Sequence, residues 1–284
     1  SGAIVNTILD PIFIFVFEMG MAGAAIATVA GQVVSVLMAL RYLRKFRHVR
    51  LHRSHFRPQL GECLHVMSLG MSSSLNQVAL CIVQIVINNS LTYYGELSIY
   101  GKEIPLAAVG IVMKTNAILL AIIIGISQGS QPIIGFNYGA QNYTRVRGIY
   151  KLAIGCALAV SAVGWALFQF CPAQIISLFG GGSDLYYEFA IRFMRTFLFM
   201  VLVMGVQILS SNFFSAIGKP IKGALLSLTR QVFLLVPLVL LLPLKFGIDG
   251  IMYAGPVADF TAFVISVILI SIEMRKIRRL EAEK

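Results

Sequence analysis

The sequence predicts an all-α polytopic membrane protein with about eight transmembrane helices, and three observations point there. First, 58% of the 284 residues are hydrophobic and only 12% charged, with a mean hydropathy of +0.84. A soluble domain carries about 25% charged residues to keep its surface wetted. Second, several apolar runs approach the roughly 20 residues a spanning helix needs. Third, these runs are apolar on nearly all faces, whereas barrel strands would be shorter and strictly alternating.

Gly, Pro and charge punctuate the runs and define the segments in order. Gly2–Phe17 is a partial span, too short to cross and closed by Glu18. Met21–Leu43 runs into the basic stretch Arg41–Arg57. Leu64–Tyr94 ends at the Gly95–Glu103 loop, and Ile104–Ile126 is separated by the Asn137–Gly148 loop from Ile149–Phe170. Ile191–Phe214 follows the Gly180–Glu188 loop, Gly223–Leu244 follows the Lys219–Lys222 turn, and Gly250–Ile272 follows the Lys245–Asp249 turn and leads into a basic tail. Residue 1 is Ser, with no charged n-region or cleavage site behind it, so this start is not a signal peptide. The expectation is a fragment that opens inside a helix.

The formal charge of +11 is concentrated in Arg41–Arg57 and Arg275–Lys284, just after apolar runs. That placement is the one of cytoplasmic loops and tails, which argues against nucleic acid as a partner. Alternating the segments across a bilayer gathers both clusters, Arg145, Arg147, Lys219 and Lys222 on one side. That side is expected to be cytoplasmic, C-terminus included, with the protein in the plasma (inner) membrane. Cys63, Cys81, Cys156 and Cys171 lack metal or redox spacing and read as packing residues. His48, His52 and His55 sit among arginines that would repel a metal and read as solvated loop.

An internal repeat is suggested by a G-x-x-G-x-x-x-A frame. Gly20, Gly23 and Ala27 are matched by Gly247, Gly250 and Ala254, each copy opening a helix after a Pro-containing apolar segment. The copies lie an even number of spans apart, as parallel repeats do. The chain then divides into residues 1–43, the end of one bundle; 44–62, a basic linker; and 63–284, a second bundle with a basic tail.

Ionisable or strongly polar residues at membrane depth are the candidate functional groups. Asp10 precedes Pro11, and Asn6 lies one turn earlier on the same helical face. Pro11 also frees a carbonyl in the preceding turn. These oxygens would coordinate Na⁺ or present a protonatable carboxylate; the alternative is that Asp10 satisfies a proline kink. Thr28 on the next helix either faces them or bonds its own helix carbonyl, as threonines in membranes commonly do. Gln77, Gln84 and Asn88 form one stripe at i, i+7 and i+11, which either joins helices or lines a polar cavity. Lys114, Arg230 and Asp259 fall inside spans, and Asp259 with Arg230 reads either as a buried pair or as a coupling charge. Arg192 and Arg195, near a helix end, are expected to snorkel. No nucleophile elbow, phosphate loop or zinc motif occurs, so neither an enzyme nor a cofactor is expected, and an ion gradient is the expected energy source.

Two stretches carry a family resemblance. LDPIFIFVFEMGMAGAAIATVAGQ (9–32) resembles the fifth-to-sixth helix region of multidrug and toxic compound extrusion (MATE) transporters, and SQGSQPIIGFNYGAQNYTRVR (127–147) resembles the signature after their eighth helix. NNSLTYYG (88–95) and AVGIVMK (108–114) fit the seventh and eighth helices. The resemblance implies twelve helices in two lobes, of which this chain would hold about eight. It also implies antiport of drugs and organic cations against Na⁺ or H⁺ by alternating access. In one branch an N-lobe cation site uses an Asn and an Asp one turn apart and a Thr on the next helix, positions that Asn6, Asp10 and Thr28 match by spacing. Another branch uses carboxylates on the seventh and tenth helices, and Leu64–Tyr94 and Phe193–Phe214 have none. Gln77, Gln84, Asn88, Lys114 and Gln207 are the expected drug contacts in the C-lobe. The alternatives are a lipid-linked oligosaccharide flippase of the wider superfamily, which would need a strongly cationic cavity, or an inactive fragment. Membrane lipids are the expected surroundings; the sequence names no protein partner.

Overall fold

A computed structural model describes residues 2–44, 60–180 and 182–282. The chain forms two compact units, Ser1–Cys63 and Leu64–Lys284. Most of the expected 44–62 linker, with its three histidines, lies outside the described residues.

The first unit is a helical hairpin. α1 (Gly2–Pro11) passes into a π-helical turn (Ile12–Val16), and α2 spans Gly20–Arg44. Pro11 has no N–H to give the carbonyl of Thr7, and the wider π turn begins directly after it. The two helices touch through small residues. A Cβ on Gly23 would lie 2.8 Å from the Phe13 carbonyl oxygen, one on Gly31 would lie 2.7 Å from that of Gly2, and Ala27 between them is fully buried. This four-residue spacing of small side chains lets helix backbones meet in an apolar medium.

The second unit is built from α3 (Leu60–Glu96), α4 (Glu103–Gly139), α5 (Tyr143–Phe170), a short α6 (Pro172–Ser177), α7 (Asp184–Phe197) and α8 (Val201–Ala216). α9 (Pro220–Leu228), a second π-helical segment (Thr229–Leu235), α10 (Val236–Phe246) and α11 (Ile248–Ala282) complete it. Among the described residues of the whole chain, six helical stretches are long and apolar enough to cross a membrane, and the bent pair α7–α8 makes a seventh. The stretch Gly2–Val16 is a shorter apolar helix, in keeping with the partial first span.

Several expected boundaries need correction. α4 runs to Gly139, so the expected Asn137–Gly148 loop shrinks to a turn before the Asn142 cap, whose side chain accepts from the Arg145 N–H. Pro132 lies inside α4, and the polar signature after Ile126 winds on as helix. The expected straight span Ile191–Phe214 is two helices bent by 50°. Tightened bonds, Phe199 N–H to Thr196 O (3.3 Å) and Val201 N–H to Leu198 O (3.1 Å), turn the axis there. The basic tail is helical through Ala282.

The core centres on α7, where Phe189, Phe193 and Phe197 stack in sequence at 6.0 and 5.0 Å. At one end of this unit Arg192 pairs with Asp249 at 2.7 Å, and Arg195 and Gln169 exchange hydrogen bonds. These arginines are anchored by protein partners, where snorkelling alone was expected. At another place α11 is clasped twice. Glu281 accepts from Thr144 and Arg147, both at 2.6 Å, and Glu273 pairs with Lys219 and Lys222. The Glu273 side chain is 3% exposed and that of Glu281 28%. Glu273→Gln is therefore expected to lower the melting temperature clearly, and Glu281→Gln to lower it much less, as breaking a solvated pair does. Parallel melts of the two variants check the order.

The repeat frame has a matching local geometry in each unit. Gly20 and Gly247 both take positive φ (+52° and +59°), where an L side chain is strained. Gly23 packs on the Phe13 carbonyl and Gly250 on the Leu242–Pro243 backbone, each against the preceding segment, and Ala27 and Ala254 are both fully buried.

Candidate functional site

Close approach of α1 and α2 sets Asn6 and Asp10 opposite Thr28. The Asn6 Nδ2 lies 3.3 Å from Asp10 Oδ1 and 3.4 Å from Thr28 Oγ1. With the amide turned over, Nδ2 donates to Asp10 Oδ2 at 3.3 Å and the oxygen accepts from the Thr28 backbone N–H at 3.2 Å. That orientation satisfies both ends of the amide. The Thr28 hydroxyl donates to Ala24 O at 2.9 Å, so its lone pairs remain on the site side. A cleft of about 530 Å³ opens beside Asn6, Thr28 and Gln32. The three sequence-predicted residues are thus brought together, half-buried at Asn6 and Asp10 and exposed at Thr28. They offer a carboxylate, an amide and a hydroxyl to one point, one turn from the Thr7 carbonyl, to which Pro11 has no N–H to give. Such a cluster of hard oxygens can hold a small cation or exchange a proton.

The second unit contains its own cavity, about 320 Å³, with a polar wall made by Asn76, Gln128, Gln207, Asn212, Arg230 and Gln231. Of the five residues expected to contact drug, the structure brings only Gln207 to this cavity, where its Nε2 donates to Leu226 O at 3.3 Å. Gln77 and Lys114 are exposed on α3 and α4, and Gln84 donates to Asn88 at 3.0 Å on the same helix. The stripe at 77, 84 and 88 is real as helix geometry but lies off the cavity, and Asn76, one residue earlier, faces it. Its Oδ1 accepts from the Ser227 hydroxyl at 2.7 Å, and Asn212 donates to Ser127 at 2.7 Å. Asn76, Gln128, Asn212 and Gln231 were missed. Their only signal was polarity within an apolar run, and the π turn at 229–235 moves Arg230 and Gln231 off any simple helical phase. Arg230 Nε donates to Asp259 Oδ1 at 2.5 Å, with side chains 13% and 5% exposed, so these two form a buried pair.

The family model MatE matches residues 71–241, well over half of the chain. The chain belongs to the MatE family. Its curated relatives include the multidrug export protein MepA of Staphylococcus saprophyticus, 25% identical over 276 residues, and MepA of Staphylococcus aureus (strain MSSA476), 24% identical over 274. The alignments take in 95% and 93% of this MatE chain but 58% and 57% of those proteins. The chain therefore spans somewhat over half the length of the curated relatives it matches. Solved structures with the same fold include an outward-facing multidrug resistance MATE family transporter (TM-score 0.85, 22% identity) and a MOP superfamily transporter from Pyrococcus furiosus (TM-score 0.85, 21% identity). Each likeness covers 98% of the MatE chain and 61% of the other. The all-α polytopic membrane architecture is that of these transporters. The family match itself falls in the second unit, outside the Asn6–Asp10–Thr28 cluster.

Proposed function

We propose that this MatE chain belongs to a secondary antiporter that exports drugs and organic cations in exchange for Na⁺ or H⁺. The relatives named as multidrug export proteins supply the substrate class. The observation that carries the coupling role is the convergence of Asn6, Asp10 and Thr28 across the α1–α2 hairpin, beside a proline-linked π turn. Protonating Asp10, or placing Na⁺ among the three oxygens, removes a negative charge at the point where α1 changes pitch. An ion that binds one arrangement of this hairpin better than another shifts the population between them, and that differential affinity is all that coupling requires. The same reading puts the protein in the plasma (inner) membrane with the α11 end in the cytoplasm, where the basic residues lie.

The test is ethidium efflux from cells without their own pumps, expressing the full-length gene product with Na⁺ and pH varied. Asp10→Asn is expected to lower gradient-driven efflux at least about tenfold at equal membrane expression, the scale of losing one charge-assisted contact. Normal efflux by Asp10→Asn would leave export standing and remove the coupling site. Absence of efflux for every organic cation tried would remove the export reading.

A further inference from the structure

We infer that the cavity of the second unit is a binding site for a carboxylate-bearing amphiphile, its acid group on Arg230 and a neighbouring N–H or O–H on Gln231. This goes beyond the antiport reading and does not depend on the coupling site. The charge of the wall is the first argument. Among the described residues that line the cavity, Arg230 is the one charged residue and none is a carboxylate. Asp259, which neutralises it, sits behind the wall and is not a lining residue. A guanidinium has five N–H donors. Here Nε serves Asp259, and Nη2 meets only the Met204 thioether at 3.8 Å, a weak acceptor. Among the described residues no other acceptor reaches the guanidinium, so most of its fork is left for a ligand oxygen.

The second argument is independent of charge. Gln231 is 7% exposed, it lines the cavity, and its Oε1 has no hydrogen-bond partner among the described residues. Leaving a buried acceptor unpaired is costly, and a ligand donor that reached it would recover that cost. Asn76 adds to the donor side, because its Oδ1 already accepts from Ser227 and its Nδ2 meets no acceptor among the described residues. Beside this polar wall, Leu80, Leu120, Ile124, Met204 and Ile208 give the cavity its apolar lining. A donor fork, one orphan acceptor and apolar walls in a space of drug-sized scale fit a flat acid that also carries a hydroxyl or amine. An ammonium group finds no anion in that wall.

The experiment measures equilibrium binding of three matched probes to the purified full-length protein in detergent, with empty micelles as the baseline. The probes are 6-hydroxy-2-naphthoate, its primary amide, and the 6-hydroxy-2-naphthyl methylammonium. The carboxylate is expected to bind about tenfold or more tighter than the amide, with the ammonium weakest, since a charge-assisted contact is roughly twice as strong as a neutral one. The double variant Arg230→Gln/Asp259→Asn, which leaves no buried charge unpaired, should equalise carboxylate and amide. Gln231→Leu should weaken both by a similar factor and keep their ratio. Equal binding of the three probes, a preference for the ammonium, or a carboxylate preference that survives the double variant would each overturn the assignment. Binding by Asp10→Asn protein should match the parent, so failure of the coupling site and failure of this one are read separately.

Discussion

Asp259→Leu is expected to cost the second unit about 3 kcal/mol, the lower end for breaking a buried ion pair. Both side chains are largely withdrawn from solvent, and the leucine would leave the Arg230 guanidinium with a thioether as its remaining partner. The figure sits at the lower end because Arg230 borders a polar cavity that water can enter. For a unit of this size the loss corresponds to a fall of roughly 6–12 °C in melting temperature. Arg230→Met/Asp259→Leu should recover most of it, because the cost lies in the uncompensated charge and not in the absence of the bridge. Melting of the detergent-solubilised protein, followed by size exclusion, tests both. A single variant that melts with the parent would mean that the pair is solvated and not structural.

Gly250→Ala carries the other large effect. The added methyl would lie 2.5 Å from the Leu242 carbonyl carbon and 2.5 Å from the Pro243 nitrogen, both backbone atoms that no rotamer change can move. α10 and α11 would have to part, at about 1–3 kcal/mol for overpacking, and the buried Ala254 one turn on would loosen with them. Gly155→Ala is the matched control. It lies in the middle of α5 with nothing within 4 Å of the new methyl, so helix propensity should make it neutral or stabilising by about 0.5–1 kcal/mol. Equal melting of the two variants would dismiss the close contact.

Sequence reasoning reached the fold because the property that decides it is additive: long apolar runs and sparse charge require helices in lipid, whatever the tertiary detail. It reached Asn6 and Asp10 for a local reason, since i, i+4 spacing and a following proline are visible in one dimension, whereas Thr28 on the next helix came with the family resemblance. It also found the glycine frame, whose two copies share a positive φ and a backbone contact. It failed where phase matters. A stripe counted from Gln77 misses the cavity that Asn76 faces, and a π turn adds a residue that no regular period anticipates. Hydropathy likewise closed the α4 span at Ile126, because it scores lipid preference, while the backbone continues helical through polar Ser127–Asn137. The bend at Leu198–Met200 has no proline to announce it; it is made by a change of hydrogen-bond pattern within an apolar run.

The clasp on α11 bears on how the protein is made. Lys219, Lys222, Arg147 and Thr144 are synthesised well before the two acids that hold them, Glu273 and Glu281, which follow the last apolar run. Until those residues leave the ribosome, the turns after α4 and α8 carry positive charge with no acidic counterpart from α11. The fastening of this end of the bundle is therefore a late event in biogenesis, after every span of the unit has been translated. A stop codon at position 273 would preserve the full apolar complement of the unit and still leave that end unsecured, a defect that a count of membrane spans would never reveal.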